Sequence, residues 1–154
     1  MSRMKELTGT ATRVVAASTD DCFALLQAVD RYPVWHPEVV KEVDIVERGP
    51  GGRPTQIRTT LHVSRGPLVR DFHLLMAVAA EQPVAVTLTR LRNEPSDQEQ
   101  FEVRWRLREQ GAATQVRLDI AANLSVPRLV PLGGVCDAMA EGFVAAAANA
   151  LETP

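Results

Sequence analysis

Between residues 55 and 126 apolar and polar side chains alternate in run after run. The clearest is Phe101-Glu102-Val103-Arg104-Trp105-Arg106-Leu107. A period of two puts Phe101, Val103, Trp105 and Leu107 on one face of a strand and the charges on the other. Val116, Leu118 and Ile120 repeat the pattern. A two-residue turn at Gly111-Ala112 would set Leu107 opposite Val116, Trp105 opposite Leu118 and Val103 opposite Ile120. All three pairs are apolar, so pattern and turn chemistry choose one register. Upstream, Ile57, Thr59, Leu61 and Val63 form one row of a strand over 55–64, and Phe72, Leu74, Met76 and Val78 one row over 69–80. Pairing Leu61 with Phe72 matches the rows and sets His62 against Asp71 on the other face. The turn at 65–68 joins them. A turn at 81–83 aligns Val84, Val86 and Leu88 with the same row, and a turn at 93–97 leads into the first run.

The flanks differ. A first strand is expected over 8–17, with Thr10, Thr12, Val14 and Ala16 on one row. A helix over 19–29 follows, capped by Ser18, with Asp20 and Asp21 at its positive end. Its buried stripe is Cys22, Phe23, Leu25, Leu26 and Val29. Pro33 disfavours helical geometry at Tyr32 and ends it. A second short helix is expected over 35–40, with Pro37 in its first turn. A strand over 43–47 precedes a flexible loop over 48–54, whose glycines lack the Lys-Ser/Thr ending of a phosphate-binding loop. The chain closes with an Ala-rich helix over 132–152. Val135, Met139, Phe143, Ala146 and Ala150 share its apolar face, flanked by Cys136, Ala140, Ala147 and Leu151, with Asp137 and Glu141 opposite. Small residues there let the helix sit close to what it covers.

These elements describe an α+β fold, an antiparallel sheet with its helices on one face, built as one domain over 1–154. Composition narrows the partners. The 154 residues carry a formal net charge of −2, which gives no reason to expect nucleic acid or an anionic membrane. Aromatic residues make up 5% of the chain, too few for a row of stacking platforms. Cys22 and Cys136 suggest no disulfide framework. No apolar leader and no membrane-length stretch is present, so a soluble, cytoplasmic protein is expected. The three histidines have no ligand spacing, so no metal and no other cofactor is expected.

The order of elements resembles the START-related helix-grip (SRPBCC) superfamily, specifically its polyketide cyclase/dehydrase and coenzyme-Q-binding-like families. The resemblance rests on Ala17-Ser18-Thr19-Asp20-Asp21-Cys22-Phe23, Tyr32-Pro33-Val34-Trp35-His36-Pro37, Val43-Asp44-Ile45-Val46-Glu47, and Trp105-Arg106-Leu107 followed by Gly111-Ala112-Ala113-Thr114. It implies a curved antiparallel sheet of about seven strands wrapped around a long C-terminal helix, with two short helices after the first strand. It also implies a cavity for an apolar ligand between sheet and helix.

The inward row would then line that cavity: Ile57 and Leu61, Phe72, Leu74 and Met76, Val86 and Leu88, Val103 and Trp105, Leu118 and Ile120. Met139 and Phe143 would face it from the helix. The same residues equally suit a filled core. Arg90 continues the row of Val86 and Leu88. It can hold a ligand carboxylate, phenolate or enolate in a forked contact, or reach solvent from the strand's end. Arg92 and Glu99 share the next register position and are expected to pair. Trp35 sits at the helix corner as a packing plug or a ligand contact, and His36 beside it is a candidate proton donor. His62 with Asp71, and His73, fall on the outer face. An inverted register would turn Asp71 and His73 inward as acid/base candidates. Cys22 and Cys136 fall on buried helix faces as small hydrophobes.

Three functions remain open. The first is binding of a lipid-, quinone- or polyketide-like small molecule. The second is a cyclase/dehydrase of the aromatase type, a possible lyase. The third is a protein-interaction module, for which Leu75, Ala77 and Ala79 offer an outer apolar row that also suits a homodimer.

Overall fold

A computed structural model of the chain describes residues 2–65, 68–92, 94–127 and 134–153. Strand β1 spans Ser2–Val15, followed by helices α1 (Thr19–Gln27) and α2 (Tyr32–Trp35). Strands β2 (Val40–Arg48), β3 (Pro54–Arg65), β4 (Leu68–Glu81), β5 (Ala85–Arg90), β6 (Gln100–Gln110) and β7 (Ala113–Pro127) follow, and α3 (Val135–Glu152) ends the chain. Parts of the expected turns at 65–68 and 93–97, and the expected start of the last helix at residue 132, lie outside the described residues.

The seven strands form one curved antiparallel sheet in the order β1-β7-β6-β5-β4-β3-β2. Strands β2 to β7 follow one another, and β1 then adds to the far side of β7. The register is the one that the alternation selects. Trp105 faces Leu118 and Leu107 faces Val116, with Gly111 at φ 63° in the turn. Leu61 faces Phe72, and His62 faces Asp71. The inward row is buried from Ile57 through Trp105 to Ile120, and α3 covers it with Cys136, Ala140, Phe143, Val144, Ala147 and Ala148.

Both sheet edges are protected. On β1, Asp137 Oδ1 accepts the Thr10 N–H at 3.0 Å and Glu152 Oε2 accepts the Ala16 N–H at 3.0 Å. On β2, bulges beside Glu42 and Glu47 break the outer edge.

Four expectations are corrected. The first strand begins six residues earlier than residue 8, and its inward row is Leu7, Gly9, Ala11 and Val15, while Val14 is 52% exposed. A short apolar-polar alternation with small residues hid that face. No helix spans 35–40. The short helix is α2, with Pro33 in its first turn, where the missing N–H costs nothing. Glu99 pairs with Arg70 rather than Arg92, because its carboxylate turns across the sheet. On α3 the buried face is rotated towards Cys136, Ala140 and Val144, leaving Met139, Ala146 and Ala150 half-buried. A strand of small residues opposes the helix there, so the closest approach falls on Cys136. No helix among the described residues is long and apolar enough to cross a membrane.

Candidate functional site

The first turns of α3 stand off from one end of the sheet and leave a cavity of about 230 Å³. Leu61, Leu74 and Phe101 form its sheet side, and Val135, Cys136 and Met139 its helix side. Leu7, Ala122 and Leu124 close it from β1 and β7, and Leu68 and Phe72 border it from β4. The helix diverges because β1 and α3 touch at Gly9, while β3 and β4 present larger side chains.

Polar groups gather on one side. Arg90 is inward, opposite Met76, and its side chain is 9% exposed. One guanidinium nitrogen donates to Asp97 Oδ2 at 2.5 Å and the other to the Glu99 carbonyl at 2.7 Å. Asp97 Oδ1 also accepts the Glu99 N–H at 3.1 Å, which ties the loop to the strand it precedes. Arg70 lies over Phe72, with its guanidinium carbon 4.3 Å from the ring centroid. It stands 3.7 Å from Glu99 Oε1, while Glu99 Oε2 accepts the Ser125 N–H at 2.9 Å. Burial pushes the Cys136 thiol up to about 11, with Asp137 adding to the shift.

Of the residues expected to line a cavity, Leu61, Phe72, Leu74, Arg90 and Met139 border this one. Ile57, Met76, Leu88, Val103 and Phe143 border a separate void of about 30 Å³ with Leu61 and Tyr32. That void is big enough for a single water but offers no polar lining, so it stays dry. Val86, Trp105, Leu118 and Ile120 border neither and are fully buried in the packed core.

The helix corner is a separate cluster. The Tyr32 hydroxyl donates to the Leu26 carbonyl at 2.6 Å, and burial raises its pKa strongly. Trp35 tilts against Tyr32 at 4.8 Å between centroids. His36 is buried, meets Phe143 edge-on at 4.6 Å, and brings Nε2 to 4.0 Å from where a Cβ on Gly142 would stand. Its Nε2 and the indole nitrogens of Trp35 and Trp105 have no hydrogen-bond partner among the described residues. Burial lowers the pKa of His36, and Glu38 opposes the shift.

On the outer face, His62 Nδ1 and Asp71 Oδ1 are 2.6 Å apart, and His73 Nδ1 and Thr60 Oγ1 are 3.1 Å apart. Asp71 and His73 belong to the strand segment beside the cavity, yet their side chains engage these partners outside it.

Sequence reasoning missed Leu7, Arg70, Asp97, Ala122 and Leu124. Arg70 continues the Phe72-Leu74 row by two residues, and Leu7 continues the Gly9-Ala11 row, so period two extended outwards would have found both. Asp97 sits in a turn, where no periodicity locates a side chain.

The sequence profile of the family described as polyketide cyclase / dehydrase and lipid transport matches residues 6–153. Among solved structures, a START superfamily protein from Mycobacterium smegmatis is 19% identical, with a TM-score of 0.76 over 94% of this chain and 97% of that one. Ginseng major latex-like protein 151 from Panax ginseng is 11% identical, with a TM-score of 0.71 over 97% and 98%. The di-domain ARO/CYC BexL from the BE-7585A biosynthetic pathway is 10% identical, with a TM-score of 0.70 over 97% of this chain and 51% of that one. At such identities these likenesses speak for fold. No curated protein matches the chain. With the profile spanning nearly its full length and the helix-grip fold in place, the chain belongs to the polyketide cyclase/dehydrase and lipid transport family.

Proposed function

We propose that the protein binds a hydrophobic small molecule between the sheet and the first turns of α3. The observation that carries this reading is the 230 Å³ cavity, walled mostly by Leu, Phe, Val, Ala and Met, with Arg70, Arg90 and Glu99 also in its lining. Burying an apolar molecule there gains roughly 25 cal/mol for each Å² removed from water. Ligand sites usually hold about 300–1,000 Å³, so the occupant is small or displaces Met139, which is half-buried and flexible.

Turnover would ask for two convergent titratable groups facing the ligand. Around this cavity Arg90 is held by Asp97, Arg70 is paired with Glu99, and Asp71 and His73 are engaged on the outer face, which favours binding over catalysis. Native mass spectrometry beside the denatured mass tests the reading. A retained mass, or uptake of a small uncharged fluorescent dye such as naphthalene, is expected. Neither retention nor uptake would overturn it.

A further inference from the structure

The charges beside the cavity are already balanced. Two cations, Arg70 and Arg90, face two anions, Asp97 and Glu99, in two pairs. Two further ionisable side chains of the bordering strand, Asp71 and His73, turn to His62 and Thr60. Arg90 has its guanidinium committed to a carboxylate and a backbone carbonyl. Arg70 is different. It is stacked on Phe72, ion-paired to Glu99 at 3.7 Å, and makes no hydrogen bond among the described residues. Its side chain is 41% exposed, so its N–H groups are open to solvent and to a ligand alike.

A ligand carboxylate that reached Arg70 would meet Glu99 on the same guanidinium and add a third anion to a balanced set. A ligand ammonium would meet Arg70 itself. A carbonyl or hydroxyl oxygen can accept from Arg70 without either penalty, and a ligand hydroxyl can donate a hydrogen bond to Glu99. A volume of 230 Å³ equals about eight water volumes, at ~30 Å³ for a water in the liquid.

We propose that the cavity takes an uncharged molecule of that size, apolar except for one carbonyl or hydroxyl end held by Arg70, with Glu99 excluding acids. The inference rests on the binding reading above and names the ligand class for the same site.

Displacement of naphthalene by octanoate and by a nonanone, which have equal numbers of non-hydrogen atoms, tests it at neutral pH on the wild type and on Glu99→Gln. The ketone is expected to displace the dye at about ten-fold lower concentration on the wild type. Since an acid is also intrinsically less apolar, the deciding quantity is the ratio of the two. Glu99→Gln keeps an acceptor for the Ser125 N–H and is expected to bring octanoate several-fold closer to the ketone. Octanoate binding as well as the ketone on the wild type, or a ratio unmoved by Glu99→Gln, overturns the ligand class while leaving the binding site standing. If the dye itself does not bind, the binding reading falls and takes this inference with it.

Discussion

Gly9 on β1 and Cys136 on α3 meet backbone against backbone. A Cβ built on Gly9 would stand 2.1 Å from the carbonyl carbon of Cys136 and 2.2 Å from the Asp137 nitrogen. This contact brings α3 down onto the sheet edge, lets Asp137 reach the Thr10 N–H, and sets the tilt that opens the cavity beyond it. Replacing Gly9 with Ala forces two rigid backbones apart. A loss of more than about 3 kcal/mol in denaturant unfolding is expected, because neither element can yield locally. Wild-type stability in Gly9→Ala would mean that the helix can slide without cost.

Arg90 and Asp97 form a largely buried pair that fastens the 94–99 segment. Arg90→Met leaves the Asp97 carboxylate without this partner in a site that is 14% exposed, and is expected to cost about 2 kcal/mol. Removing both charges with Arg90→Met and Asp97→Leu together should recover part of that loss. Chemical denaturation of the two singles and the double forms the cycle, and strict additivity would deny the coupling.

His36 imposes a pH dependence whose sign follows from burial. Its folded pKa lies below the ordinary 6.5, so between the two values the unfolded chain binds the proton more readily. Stability therefore falls as pH drops through 6.5, by at most about 1.4 kcal/mol per pH unit, and this contribution levels off at the folded pKa. His36→Leu removes the titrating group and the unpartnered Nε2 together. The slope between pH 7 and pH 5 should flatten in this variant when midpoints are compared across pH. An unchanged slope would place the acid sensitivity elsewhere.

Ala122 faces the cavity from β7, opposite Leu7 and Phe101. Ala122→Leu adds three carbons into empty space. Dye affinity is expected to fall at least about ten-fold, with stability changed by less than about 1 kcal/mol since the added atoms fill a void. Full dye binding in a stable Ala122→Leu protein would move the site away from this cavity.

Much of the architecture was legible along the chain. Leu61 against Phe72 and Trp105 against Leu118 could be read because side-chain direction in a strand repeats every two residues. A one-residue slip would have turned each apolar row to solvent. The first strand was harder. Leu7, Gly9 and Ala11 form its inward row, but glycine and alanine barely register as apolar, so Thr10, Thr12 and Val14 looked like the better row. The helix corner misled for a different reason. A proline reads as an ending from one side and as a first-turn residue from the other, and nothing local tells which applies at Pro33.

Of the candidate site, the inward direction of Arg90 followed from the register, but not its partner. Asp97 reaches it from a turn, and Glu99 turns to Arg70, two strands away in the sheet. Alternation by itself determined the strands, their pairing and the apolar face that a helix had to cover, since these depend on the direction of each side chain along one strand. Tertiary structure alone decided which apolar residues fill the core and which border empty space. That depends on how closely α3 approaches each strand, and the approach is set by Gly9 meeting Cys136 across more than a hundred residues of chain.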